Sequence, residues 1–219
     1  MDPREDEKRS AAQAAAMLVP RRATVGLGSG TTVAHFLAAL ARRNLELTCV
    51  ATSPTTEGRA RTLGLSVQPF DRLDRLDIAV DGADQVDSEL WLVKGGGAAH
   101  TREKVVAASA ERFVVIVSSD KVVDRVGPPV PLEVLRFGLA ATLRRLGELG
   151  EAVVREGVPV TADGNVIVDF LGKVGDPNEL ASVLAAVPGV VEHGLFPPGL
   201  VSEVLVGLAD GSVERLLPG

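Results

Sequence analysis

ATVGLGSGTTVAHFLAAL, residues 23–40, decides the fold. Its first five residues are a short apolar run that reads as a strand. Gly28-Ser29-Gly30 then turns the chain, and Val33, Phe36, Leu37 and Leu40 keep helical spacing beyond it. Thr31 or Thr32 is the expected helix cap. A strand that feeds a glycine-rich turn into a helix start gathers backbone N–H groups where the helix dipole favours an anion. Glycines let the backbone come close, and hydroxyls add donors. Ser29, Gly30, Thr31 and Thr32 are therefore candidates for holding a phosphate or carboxylate, although the same residues also make a tight turn with no ligand. No lysine follows Gly30, so this is not a Walker A loop. Thr32 and Val33 stand where a dinucleotide fingerprint places its third glycine, so a sugar phosphate ranks above NAD.

Outward from that stretch, the chain alternates strand and helix. An Ala-rich helix over 5–19 ends at Pro20. A strand over 45–51 is followed by Thr52-Ser53-Pro54 and a helix to Leu63 that Gly64 terminates. A strand over 76–80 stops at Asp81, the apolar patch 90–93 leads into a glycine loop and a helix to about 110, and 113–117 is a strand apolar on both faces. This alternation predicts a parallel sheet covered by helices. The rhythm changes near Gly127-Pro128-Pro129. From there strand (131–134), helix (137–149), strand (151–155), a turn at Asp163-Gly164, strand (165–170), helix (177–186) and strand (189–194) make a split βαβ pattern of ferredoxin-like type. A hairpin around Asp210-Gly211, with strands over 202–208 and 212–216, is expected to return to the first sheet. The fold class is thus α/β, with a Rossmann-like parallel-sheet domain (1–128 plus 200–219) and a smaller ferredoxin-like α+β subdomain (129–199).

Composition narrows the function classes. With 219 residues, 46% hydrophobic and 24% charged, the chain has the make-up of an ordinary globular protein. It carries 29 acidic against 23 basic residues, a net charge of −6, which gives no global attraction to nucleic acid or an anionic membrane. Six Phe, one Trp and no Tyr leave no aromatic platform for stacking bases. Cys49 is the single cysteine, so neither an intrachain disulfide nor a CxxC zinc site exists, and a cytoplasmic setting fits. Residues 1–9 are charged and lack a signal peptide's apolar stretch, and no run approaches a membrane span.

Three segments carry candidate chemistry. Asp81-Gly82-Ala83-Asp84 follows a buried strand, where ligands of open parallel sheets bind. Its two carboxylates suit sugar hydroxyls or a proton shuttle, and with Asp87 they resemble an acidic metal cluster, although no histidine lies nearby and Gly82 indicates a turn. Paired turn aspartates are the plainer reading. Lys94-Gly95-Gly96-Gly97 is poor material for regular structure. It makes sense where amides approach a ligand and Lys94 steadies negative charge on an oxygen, or else as a mobile surface loop. Glu103 follows within a helix start. Taken alone it is a routine helix glutamate, but beside that loop it is a candidate carboxylate for carrying a proton between adjacent carbons. Lys121, after the strand ending near Ser118-Ser119, is a second candidate cation. His35, His100 and His193 are far apart and have no ligand spacing.

With these residues in place, the chain resembles the ribose-5-phosphate isomerase A family nearly end to end. The matching stretches are VGLGSGTT (25–32), DGAD (81–84), KGGGAAHTREK (94–104), SSDK (118–121), PLEV (131–134), DGNVIVD (163–169), PGVVEHGLF (188–196) and LADGSV (208–213). DGAD and KGGG…EK in this order are highly specific. The resemblance implies cofactor-free, metal-free interconversion of D-ribose 5-phosphate and D-ribulose 5-phosphate in the pentose phosphate pathway, by a homodimer or tetramer. It also implies Glu103 as proton acceptor, substrate contacts at Ser29–Thr32, Asp81–Asp84, Lys94–Gly97 and Lys121, and a phosphate-reaching role for Lys8. Two positions depart from the family pattern: Gln85 replaces a common glutamate, and His100 takes a commonly apolar place. Three other readings compete. A sugar-phosphate-sensing regulator domain would need a DNA-binding module. A sugar-phosphate deaminase or lactonase would need a catalytic histidine near an aspartate. A metal hydrolase would be built on Asp81, Asp84 and Asp87.

Overall fold

The computed structural model describes residues 4–219. In chain order, α1 (Glu5–Leu18), β1 (Arg22–Leu27), α2 (Thr31–Arg42), β2 (Glu46–Ala51), α3 (Pro54–Thr62) and β3 (Ile78–Asp81) come first. They are followed by β4 (Gln85–Val86), β5 (Leu92–Val93), α4 (His100–Ala108) and β6 (Phe113–Ser118). Next come β7 (Val130–Val134), α5 (Leu139–Leu149), β8 (Ala152–Val154), β9 (Val166–Phe170) and α6 (Pro177–Ala185). The chain closes with β10 (Val190–His193), β11 (Leu195–Phe196), β12 (Glu203–Gly207) and β13 (Val213–Leu216). Two compact units result.

The first unit comprises the chain up to Ala83, Arg102–Val122 and Pro198–Gly219. Its six-stranded sheet has the order β13-β12-β6-β3-β1-β2, parallel except for β13. The closing hairpin joins this sheet through β12 beside β6, as the sequence predicts. Between β2 and β3 the chain passes from one side of β1 to the other. The β1/β3 boundary is therefore the switch point at which open parallel sheets form a ligand crevice beyond their carboxyl ends. Buried Ala11, Ala12, Ala15 and Ala16 of α1 pack with Phe36, Leu37 and Leu40 of α2 over Val25, Leu27, Ile78 and Ile116. Alanine on α1 keeps that helix close to its neighbours.

Two helix ends follow local chemistry. Ser53 caps α3 by accepting the Thr56 N–H at 3.1 Å. Gly64, at φ +83°, ends it with Gly64 N–H on Arg61 O and Leu65 N–H on Ala60 O, a Schellman arrangement. At α2 the expectation of a threonine cap is corrected. Gly30 occupies the cap position at φ +103°, without a side-chain bond, and Thr31 is already helical. The left-handed backbone needed there favours glycine over threonine.

The second unit comprises Asp84–Thr101 and Val123–Pro197. Its larger sheet has the antiparallel order β10-β7-β9-β8, the arrangement of a split βαβ fold, with α5 and α6 as crossovers. Leu132, Val134, Val168, Phe170, Leu146 and Leu184 fill its core. The expected first domain runs unbroken to 128, whereas residues 84–101 and 123–128 cluster with the second unit. The reason is a three-stranded sheet, β11-β5-β4, whose two-residue strands are too short to leave a periodic signal.

Candidate active site

In the first unit the glycine turn and the end of β3 are built against one another. The Asp81 carboxylate is 3% exposed; its Oδ1 accepts the Ser29 N–H at 3.0 Å and the Gly82 N–H at 2.7 Å. A Cβ on Gly28 would overlap that carboxyl group, so only glycine fits beside it. Ser29 Oγ lies 2.9 Å from Thr52 Oγ1, and Thr56 Oγ1 donates to Gly28 O at 2.8 Å. Behind this turn, α2 begins with no side-chain cap and no acidic residue in its first turn. Its leading N–H groups, with Thr31 exposed and Thr32 half-buried, offer donors and positive dipole to an anion.

Glu103 stands in the first turn of α4 and is 5% exposed. The packing of α4 fixes its level. A Cβ on Gly26 would meet Val106 Cγ1 at 2.5 Å, so this glycine lets the helix lie directly on β1. The helix then descends to Ala110, which bridges Leu76 just before β3. Glu103, one turn before Val106, is consequently on the side of the strand carboxyl ends. There it lies at the same carboxyl end of the strands as Gly28, Ser29 and Asp81. Lys121 closes the turn after β6 at the same end, 38% exposed, with Nζ 3.8 Å from Asp120 Oδ2. Lys8 lies on α1, its Nζ donating to Glu5 Oε1 at 3.1 Å.

In the second unit, Lys94 is 3% exposed; its N–H donates to Gly194 O at 2.8 Å and its Nζ sits 5.5 Å from the centre of the Phe196 ring. The glycines after it are needed in place. Gly95 has φ +109°, and a Cβ there would meet His100 Nδ1 at 2.7 Å and Pro131 Cβ at 2.8 Å. Gly96 donates its N–H to Asp84 Oδ2 at 2.7 Å. Asp84 therefore shapes the loop, a role its position beside Asp81 did not reveal. Asp87 is withdrawn from any acidic cluster. Its Oδ1 accepts the Glu89 and Trp91 N–H groups at 3.0 and 2.9 Å, and its Oδ2 accepts Val126 N–H at 3.4 Å. Among the described residues no three His, Cys, Asp or Glu side chains are grouped as metal ligands.

Residues 48–211 match the family described as ribose 5-phosphate isomerase A (phosphoriboisomerase A). A ribose-5-phosphate isomerase A of Methanosarcina acetivorans is 43% identical over 219 residues, 95% of this chain and 93% of its own. The chain belongs to the ribose 5-phosphate isomerase A family. The family enzyme of Methanocaldococcus jannaschii superposes with a TM-score of 0.93 at 36% identity, covering 98% of this chain and 99% of its own. A D-ribose-5-phosphate isomerase solved with phospho-erythronic acid gives 0.90 at 33% identity, covering 96% and 97%. This membership does not favour the sensor, deaminase or lactonase readings.

The two positions expected to depart from the family pattern, His100 and Gln85, each have hydrogen-bond partners in the structure. His100 is fully buried, with Nε2 3.4 Å from Glu192 O, so a polar ring fills an apolar place while keeping a backbone partner. Gln85 uses both halves of its amide on one residue, donating Nε2–H to Gly127 O at 3.1 Å and accepting Gly127 N–H on Oε1 at 2.7 Å. Sequence reasoning missed three polar anchors. Buried Glu7 accepts the Ser119 N–H and Oγ–H, each at 2.8 Å, and so ties α1 to the turn that carries Lys121. Its i, i+4, i+8 relation to buried Ala11 and Ala15 was the available signal. Glu133, 1% exposed, accepts hydrogen bonds from Thr101 Oγ1 at 2.5 Å, Thr161 Oγ1 at 2.7 Å and Asn165 Nδ2 at 2.8 Å, holding the second residue of α4. Arg155 is the third, and left no local signal.

Proposed function

We propose that this chain interconverts D-ribose 5-phosphate and D-ribulose 5-phosphate through an enediolate, with Glu103 as the base. The buried Glu103 carboxylate at the head of α4 carries the reading. In the aldose direction Glu103 takes the C2 proton of the open-chain sugar, and the charge left behind delocalises onto O1. Glu103 then returns its proton to C1, and the O2 proton passes to O1, which yields the ketose without oxidant or reductant. Lys94 and the Gly95–Gly97 loop steady the enediolate oxygen, the α2 start with Ser29, Gly30, Thr31 and Thr32 holds the phosphate, and Lys121 and Lys8 supply further positive charge. Asp81 and Asp84, with the intervening Gly82 and Ala83, line the sugar hydroxyls. The uncapped, acid-free first turn of α2 supports the phosphate assignment.

The family likeness and the 93% exposure of Phe137 support a homo-oligomer, a dimer or tetramer. The single free thiol, Cys49, supports a reducing cytoplasmic setting. Among the described residues no helix is long and apolar enough to cross a membrane.

The test is direct. Purified protein incubated with ribose 5-phosphate in excess chelator forms ketose at its full rate. Positioned acid–base catalysis is worth about 10²- to 10⁴-fold, so Glu103→Gln loses turnover on that scale while KM moves only a few-fold. Near-normal turnover of that variant removes Glu103 from the role of base.

A further inference from the structure

Arg155 lies 60 residues from the glycine loop in sequence, yet it is bonded to that loop. Its Nη1 donates to Gly95 O at 2.9 Å and to Gly96 O at 3.2 Å. Its Nε donates to Asp169 Oδ2 at 2.8 Å and its Nη2 to Asp169 Oδ1, a two-pronged pair with both side chains over four-fifths buried. Arg155 follows β8 directly and Asp169 lies in β9, so the guanidinium is held by a hairpin and presents its remaining edge to two successive carbonyls.

A trans peptide is planar, and its C=O and N–H point in opposite directions. With the Gly95 and Gly96 carbonyls both turned to Arg155, the N–H groups of Gly96 and Gly97 must face the other side of the ribbon. Gly96 N–H meets this requirement, reaching Asp84 Oδ2 at 2.7 Å. Gly97 N–H is the next donor on that side, in an exposed residue. Three consecutive residues without side chains have no conformational preference of their own strong enough to hold this arrangement.

We propose that Arg155, anchored by Asp169, is a positioning residue that aims the Gly97 amide, and with it the Lys94-Gly95-Gly96-Gly97 loop, at the enediolate oxygen. The inference rests on the isomerase reading of that loop. Arg155 touches no substrate; it acts through the peptide planes. Such a donor stabilises charge that exists only in the transition state, so its misalignment lowers kcat more than it raises KM. Lysine does not replace it, because a single ammonium cannot fork onto a carboxylate and still face two carbonyls.

The experiment measures kcat, KM for ribose 5-phosphate and the inhibition constant of phospho-erythronic acid, whose carboxylate imitates the charged enediolate. Arg155→Gln is expected to lower kcat about 10- to 100-fold, on the scale of a lost or tilted oxyanion donor. KM stays within about threefold, phospho-erythronic acid weakens nearly in step with kcat, and Arg155→Lys restores little. If Arg155→Gln fails to fold, Asp169→Asn gives the same readout, since it leaves the guanidinium present but poorly anchored. Turnover within twofold of the parent, or a kcat loss with unchanged phospho-erythronic acid binding, overturns the proposal. Glu103→Gln runs alongside: it is expected to lose kcat and keep the inhibitor. An active Glu103→Gln overturns the base assignment alone, and the Arg155 result is still read from its own inhibitor constants.

Discussion

The carboxylate of Asp81 occupies the space that a side chain on Gly28 would need, and its Oδ1 ties the N–H groups of Ser29 and Gly82 to one point. The glycine turn after β1 and the Asp81-Gly82 end of β3 are thus a single piece of structure, assembled around one buried carboxyl group. Gly28→Ala forces its Cβ into the Asp81 side chain, to within 2.0 Å of its carboxyl group and 2.5 Å of its Cβ, so the hydrogen-bonded carboxyl must shift. The expected outcome is a destabilisation of about 1–3 kcal/mol together with a large loss of turnover, seen by urea titration and by ketose formation. Gly30→Ala tests the neighbouring position differently. Its Cβ meets nothing within 4 Å, but φ +103° strains any L side chain, so stability falls by about 1 kcal/mol from backbone strain alone.

Gln85→Glu introduces a carboxylate at this position, and it is expected to destabilise. A carboxylate accepts the Gly127 N–H but has no hydrogen to offer Gly127 O, which loses its donor. The penalty is about 1 kcal/mol at neutral pH, measured as a lower urea midpoint with an unchanged slope. A variant as stable as the parent shows that the amide's second bond contributes nothing.

How much of this was written legibly in the chain follows from which forces are local. The strand–turn–helix at 23–40 reads correctly because apolar period and glycine placement are near-neighbour properties. The end of α3 at Gly64 is legible for the same reason. The split βαβ unit is legible from its element rhythm. Asp84's bond to Gly96, Glu133's hold on Thr101 and Arg155's grip on the glycine loop span 12, 32 and about 60 residues, and no local pattern encodes them. Asp87 shows the converse. An i, i+3 spacing from Asp84 imitates a ligand cluster, while Asp87 Oδ1 closes a turn and its Oδ2 accepts the distant Val126 N–H.

Asp77 gives stability a measurable dependence on acidity. Its Oδ2 accepts the Thr24 N–H at 2.6 Å and the Thr24 hydroxyl at 2.8 Å, and those bonds lower its pKa below the ordinary aspartate value of 3.8. As pH falls through 3.8 the unfolded chain takes up the proton first, so the native state loses relative stability. The contribution is complete above that value and gone once pH has passed below the depressed native one. Asp77→Ala therefore melts earlier than the parent at pH 7, and the gap narrows when both are melted near pH 3. An equal gap at both pH values contradicts this assignment.

Cys49 lies in β2 with no exposed surface, and burial pushes its thiol up to about 12. Both features suppress the thiolate that reacts with disulfide reagents. In the native protein at pH 8 an aromatic disulfide reagent is expected to label less than a few per cent of the thiol in an hour, and to label it fully within minutes in denaturing guanidinium. At intermediate denaturant the labelling rate should follow opening of the parallel sheet, because Cys49 pairs with Val25 of β1 on one side and bridges Val67 on the other. Ligand that stabilises the native state then slows labelling in proportion to its occupancy. Rapid native labelling that inorganic phosphate leaves unchanged means that β2 opens independently of the β1 turn, and that the sheet end carrying Ser29 and Asp81 is not one cooperative body with it.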